Sequence, residues 1–205
     1  GLHNRGDQTD VVLLTRVTNW LVRADRRVFA DRCRGEIVYS LNVPVPANVA
    51  ALAGDIARDL PGARERERGE HTLGVKRLGG EPEEYSRLEA RVRELLVGQP
   101  AFEIRVTDLK YFPEAITGPE PVIYLAVESP ELRRLHLRLA DVFDPIEGIE
   151  GEGYTPHVTV ARGGSLDRAQ DVTARDIDPI EWTVTELCFW DARLSEQVST
   201  VSLPA

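Results

Sequence analysis

Methionine is absent from the 205 residues, lysine occurs only at Lys76 and Lys110 beside 23 arginines, and there are two cysteines, Cys33 and Cys188. Two cysteines make neither a disulfide framework nor a metal-ligand spacing, so both read as structural thiols in a reduced, cytoplasmic setting. No apolar run reaches the ~18 to 20 residues a membrane span needs, and no signal-peptide layout stands at the first residues. Net charge is −9, which excludes a broad nucleic-acid-binding surface, because phosphate contacts need local cations. Any such contact has to be small and local. The acidic, glycine-rich stretch from Asp144 to Gly153 lacks the ligand alternation of an EF-hand, which excludes a calcium loop. It suits the flexible lip of a cleft.

What is present is an ample core composition, 42% hydrophobic, enough for one or two compact domains. Residues 1–37 differ from the rest. Seven arginines against five acids give them a net +2, leaving −11 for residues 38–205. They are read as an N-terminal extension, helical or poorly ordered, ahead of a domain over 38–205. Within that domain a strand over 37–45 precedes a helix over 47–60, and Arg64–Glu70 reads as a solvated loop. A histidine-led strand at His71 ends in a glycine turn at Gly79–Gly80, and a helix spans 82–97. Strands follow at 102–112 and 122–128. Ser129 caps a helix that runs to about Phe143, with Pro130 and Glu131 at favoured first-turn positions and His136 as a surface or packing residue. After a second histidine strand come a polar insertion over 163–178 and two strands, 181–192 and 197–203, with Trp182 and Trp190 in the core or cleft wall. This alternation implies an α+β fold with antiparallel sheets and helices outside.

The chemistry concentrates in Tyr154–Arg162, YTPHVTVAR. Pro156 suits a strand's first position. On a flat strand the period of two puts His157, Thr159 and Ala161 on one face and Val158, Val160 and Arg162 on the other. An imidazole that moves protons stands beside a hydroxyl that can donate to an anionic oxygen. A second such strand lies 86 residues upstream, HTLGVKRLGG from His71, as if one supersecondary unit were used twice.

These paired strands, with Tyr39-Ser40-Leu41-Asn42-Val43-Pro44 as an opening strand, resemble the two-histidine (2H) phosphoesterases, the group of 2′-5′ RNA ligases and RNA 2′,3′-cyclic phosphodiesterases. The resemblance runs from about Val38 to Leu203. It implies a bilobal, pseudo-symmetric fold in which two antiparallel sheets line a central cleft. It further implies His71 and His157 as catalytic residues and Thr159, Thr72 and Arg162 as phosphate-binding residues, with no metal and no cofactor. The substrate would be an RNA bearing a 2′,3′-cyclic phosphate end, or a small cyclic nucleotide, opened to a 2′-phosphate by a monomer. Weak reverse 2′-5′ ligation belongs to the same picture.

Two histidines can supply base and acid near neutral pH, while donors meet the charge on phosphoryl oxygens. The resemblance implies His71 as the proton donor and His157 as the acceptor. The first strand departs from the family pattern: threonine stands at +1, Leu73 at +2, and Leu78-Gly79 falls one residue late. A one-residue bulge accounts for both, and a bulge at Thr72 would bring its hydroxyl to the phosphate. Otherwise Lys76 or Arg77 supplies the charge, or the site is asymmetric. The competing readings are a catalytically reduced 2H domain that binds nucleotides or RNA ends, and an interaction module in which both histidines are core.

Overall fold

The computed structural model describes residues 38–66 and 70–205. The extension expected over 1–37 therefore lies outside the described residues. Strand β1 (Tyr39–Pro44) leads into helix α1 (Ala47–Ala57), then the short β2 (Ala63–Glu65) and β3 (Thr72–Gly79). Helix α2 (Tyr85–Leu95) precedes the hairpin of β4 (Phe102–Phe112) and β5 (Val122–Glu128), followed by α3 (Pro130–Ala140) and β6 (His157–Gly163). Helix α4 (Leu166–Thr173) and strands β7 (Ile180–Val184), β8 (Glu186–Asp191) and β9 (Glu196–Ser202) close the chain.

The strands order as β7-β4-β5-β6-β3-β1-β8-β9, with β2 also paired to β6. Every pairing is antiparallel. Two four-stranded halves, β9-β8-β1-β3 and β7-β4-β5-β6, meet at one seam, where Leu73 pairs with Val158. The two expected antiparallel lobe sheets are present and are joined along this edge. The repeated unit is visible too: β1-α1-β3 in one half and β5-α3-β6 in the other.

The helices cross over. α1 packs on β6 and α3 on β3, so each half covers the other's histidine strand. Underneath lie Leu41, Val43, Leu73, Leu125, Val158 and the helix residues Val49, Ala53, Leu132, Leu135 and Leu139, all at 0–1% exposure. Such burial contributes about 1.5–3 kcal/mol per large side chain. Ser129 caps α3 as its sequence implies. Its hydroxyl accepts from Leu132 N at 3.3 Å and donates to the Glu103 carbonyl at 2.7 Å.

Three local readings change. The stretch over 181–192 breaks at Thr185, β7 pairing with β4 at one edge while β8 pairs with β1 in the other half. Nothing in its alternation marks that break. The polar insertion contains α4, capped by the Ser165 hydroxyl, with Ala169 and Val172 fully buried. Part of the supposed solvated loop is β2, drawn into the sheet by its register with β6. Among the described residues no helix is long and apolar enough to cross a membrane.

Candidate active site

The face of the sheet away from the core holds the site, and two bulges decide which side chains reach it. Along β6, Thr159 pairs with Tyr124 and Ala161 with Ile123, so Val160 is an extra residue without an opposite number. A bulge lets two successive residues point the same way. Val160 and Ala161 are both fully buried, and Arg162 swings to the face of His157 and Thr159. On a flat strand Arg162 would point away. The bulge reverses that.

Strand β3 repeats the device. Gly74 pairs with Asn42 and Lys76 with Leu41, which makes Val75 the extra residue. Val75 and Lys76 are both buried at 1%, and Arg77 turns to the open face beside Gly74 and Thr72. The expected bulge exists, but at Val75 rather than Thr72. Thr72 needs no bulge: the Leu73–Val158 pair sets it opposite Thr159 on the open face.

Counting from the bulges aligns the two strands. Thr72-Leu73-Gly74-Val75-Lys76-Arg77 matches His157-Val158-Thr159-Val160-Ala161-Arg162 in burial and in register. Thr72 therefore occupies the place equivalent to His157, and Gly74 that of Thr159. His71 stands one residue earlier, ahead of the strand. It is 8% exposed, and neither ring nitrogen has a hydrogen-bond partner among the described residues. Burial pushes its pKa down; Arg66 adds to this and Glu70 opposes it. Of the five site residues expected from the sequence, the structure gathers His157, Thr159, Thr72 and Arg162 on one face. Among the described residues no hydrogen bond joins His71 to them.

His157 is half-buried and well oriented. Its Nδ1 lies 2.7 Å from the Thr155 carbonyl, which only accepts, so Nδ1 carries the proton and Nε2 keeps its lone pair. The ring packs edge-on against Phe112 and Tyr124, at 5.4 and 5.2 Å, and those two rings stack at 4.2 Å. Burial lowers its pKa, the Thr155 bond opposes this, and the charges of Arg77 and Arg162 lower it further. At neutral pH it is therefore a neutral imidazole, suited to accept a proton. Arg162 is held by a 2.8 Å bond to the Thr117 carbonyl. Burial and the nearby Arg66 and Arg77 disfavour its charge, so an anion there would relieve crowded cations.

Behind the β3 bulge is a buried polar cluster that the sequence does not announce. Past Leu73 the edge of β3 has no strand beside it among the described residues, and side chains satisfy its backbone instead. Tyr154 donates its hydroxyl to the Gly74 carbonyl at 2.6 Å. His136 Nδ1 donates to the Val75 carbonyl at 2.7 Å, and its Nε2 accepts from Gly151 N at 2.8 Å. Glu150 accepts from Arg77 N at 2.9 Å, Ile146 N at 3.0 Å and Lys76 Nζ at 2.7 Å. His136, expected as a surface or packing residue, is fully buried and stacked on Tyr154 at 3.8 Å. Cys188 is buried, and burial raises its thiol to about 11, so it is unreactive at neutral pH. Among the described residues no group of three His, Cys, Asp or Glu is placed to hold a metal.

The fold is that of a class, the two-histidine phosphoesterases. The family model for the 2′-5′ RNA ligase superfamily matches residues 75–196, and the chain belongs to that superfamily. The match takes in the His157 strand and begins after His71. Solved structures with this fold include TT0787 of Thermus thermophilus, at 19% identity and TM-score 0.59 over 81% of this chain and 97% of that one. Escherichia coli LigT complexed with NADP+ has 17% identity and TM-score 0.55 over 83% and 99%. Kluyveromyces marxianus Usb1 has 11% identity and TM-score 0.55 over 83% and 99%. No curated protein matches the chain.

Proposed function

We propose that the protein is a metal-independent RNA 2′,3′-cyclic phosphodiesterase that opens a terminal cyclic phosphate to a 2′-phosphate. The observation that carries this reading is the presentation of His157. Its Nδ1–H is engaged by the Thr155 carbonyl, which leaves the Nε2 lone pair for a substrate, and the strand register puts Thr159 and Arg162 on the same face. His157 would take the proton of the attacking water. Thr159, Thr72 and Arg162 would meet the charge growing on the phosphoryl oxygens. His71, once the phosphate anion beside it favours the imidazolium that burial alone disfavours, would protonate the departing 3′ oxygen. Among the described residues both of its ring nitrogens are unpartnered, at a cost of roughly 1–3 kcal/mol each, and a substrate oxygen can relieve one of the two. The substrate is an RNA end or a small cyclic nucleotide, the protein acts as a monomer in the cytoplasm, and weak reverse 2′-5′ ligation follows from the same chemistry.

The alignment of Thr72 with His157 favours a second reading, a catalytically reduced domain that binds RNA ends. One assay separates them: turnover of an RNA oligonucleotide ending in 2′,3′-cyclic phosphate, with EDTA present. Turnover by the wild-type chain that H71A and H157A each abolish supports the phosphodiesterase. Binding without turnover supports the reduced domain.

A further inference from the structure

We propose that Arg77 is a substrate-binding residue, the first half's counterpart of Arg162, and that the buried Tyr154–His136–Glu150 cluster positions it. The inference rests on the phosphate-end reading above and adds a group that the family resemblance did not supply. Three observations converge. The bulge at Val75 sends Arg77 to the open face, as the bulge at Val160 sends Arg162. Each arginine lies five residues beyond an aligned position, Thr72 in one strand and His157 in the other, so the two guanidinium groups flank the seam. Arg77 pairs only loosely with its neighbour Glu150. Its Nη1 is 3.6 Å from Glu150 Oε1, too long for a hydrogen bond, while the Glu150 carboxylate is already met by Lys76 Nζ and two backbone N–H groups. The Arg77 side chain remains 45% exposed. Its positive charge also helps to lower the pKa of His157 and of Arg162.

In a domain carrying −11, a local pair of arginines is what attracts a phosphate, and a planar guanidinium offers two parallel donors to it. The bulge puts Arg77 there only while Tyr154 and His136 hold the Gly74 and Val75 carbonyls and Glu150 holds Arg77 N. These three are positioning residues. They touch the strand, not the ligand.

The test is calorimetric titration of the full chain with inorganic phosphate, alongside kinetics on the cyclic-phosphate oligonucleotide. R77Q should weaken phosphate binding about tenfold or more, the usual weight of a charge-assisted contact. On the oligonucleotide it should raise KM by a similar factor with kcat within about threefold, and reduce the salt dependence of kcat/KM by about one contact. Y154F, which removes one hydroxyl, should lower phosphate affinity in the same direction by less, whereas a merely structural role would lower Tm alone. Should R77Q fail to fold, R77M keeps the aliphatic stem and makes the same comparison. Wild-type phosphate affinity in R77Q or R77M would overturn the inference, as would a wild-type chain that binds no phosphate. An oligonucleotide that is bound but not turned over would sink only the phosphodiesterase reading, since phosphate binding still reports on Arg77.

Discussion

Strands β3 and β6 are built to one plan and supported by different means. Each starts on the open face, buries one apolar residue, returns, and then bulges so that two successive residues face the core and an arginine faces out. β6 runs inside the sheet, with β5 on one side and β2 and β3 on the other, so backbone ladders hold its bulge. Among the described residues β3 has a strand on only one side past Leu73, and a tyrosine, a histidine and a glutamate bond its other edge. A bulge can therefore be set by main-chain partners or by side chains. Only the second kind can be dismantled by point substitution, and it is the one beside the weaker motif.

The sharpest way to break the comparison is catalytic. H157A removes the oriented base and should lower turnover by ~10² to 10⁴. T159V should cost near ~10², as loss of an oxyanion donor does. In H71A an equal fall would make the halves functionally alike, and the double variant H71A/H157A would then drop little below the worse single one. Wild-type-like turnover in H71A would leave β6 as the sole catalytic strand. The paired change H71A/T72H moves the imidazole to the aligned position and should raise turnover above that of H71A. Steady-state rates on the cyclic-phosphate oligonucleotide check all five.

The next effect is on stability. E150Q leaves the Lys76 ammonium buried without its charge partner and should destabilise by about 3–5 kcal/mol in urea unfolding. V160A, at the backbone-held bulge, loses only apolar volume and should cost about 1–3 kcal/mol. Equal costs would mean that the two bulges do not differ in kind.

A smaller expectation concerns pH. His71, His136 and His157 all have pKa values lowered in the fold by burial, against an unfolded value near 6.5. Above that value both states are neutral and the stability is fully present. As pH falls below 6.5 the unfolded chain takes up protons that the folded one refuses, so stability is lost down to the folded pKa values. Urea midpoints at pH 7 and about pH 5 should show the fall. H136N should lessen the pH slope, because His136 must be neutral in the fold to donate to Val75 and accept from Gly151.

The smallest expected effect is that of deleting residues 1–37. Turnover and phosphate binding should persist within about threefold, since every site residue lies beyond Val38 and the family match begins at Val75. Loss of folding in the shortened chain would move the domain boundary upstream.

Much of this was legible in the residues. The β6 motif can be read directly, because Pro156 starts the strand and β-branched residues continue it. The 102–112 and 122–128 strands and the Ser129 cap announce themselves too. What could not be read is what depends on a partner. Val160 is a bulge only because Tyr124 and Ile123 are consecutive opposite Thr159 and Ala161, and no pattern within β6 records that. The face of Arg77 is hidden for the same reason. The β7–β8 break at Thr185 escapes a reading by alternation because both pieces are good strands and only their partners differ. α4 escapes because its inward stripe is just Ala169 and Val172.

The crossing of the helices carries a consequence for how the molecule comes apart. With α1 lying on β6 and α3 on β3, neither half keeps a dry core once the other has opened. Independent melting of two lobes, the simplest expectation for a duplicated fold, is thereby removed. Unfolding of residues 38–205 should be a single cooperative transition, with calorimetric and van't Hoff enthalpies in agreement, and the slowest-exchanging amides should sit on both sides of the Leu73–Val158 seam at matching free energies.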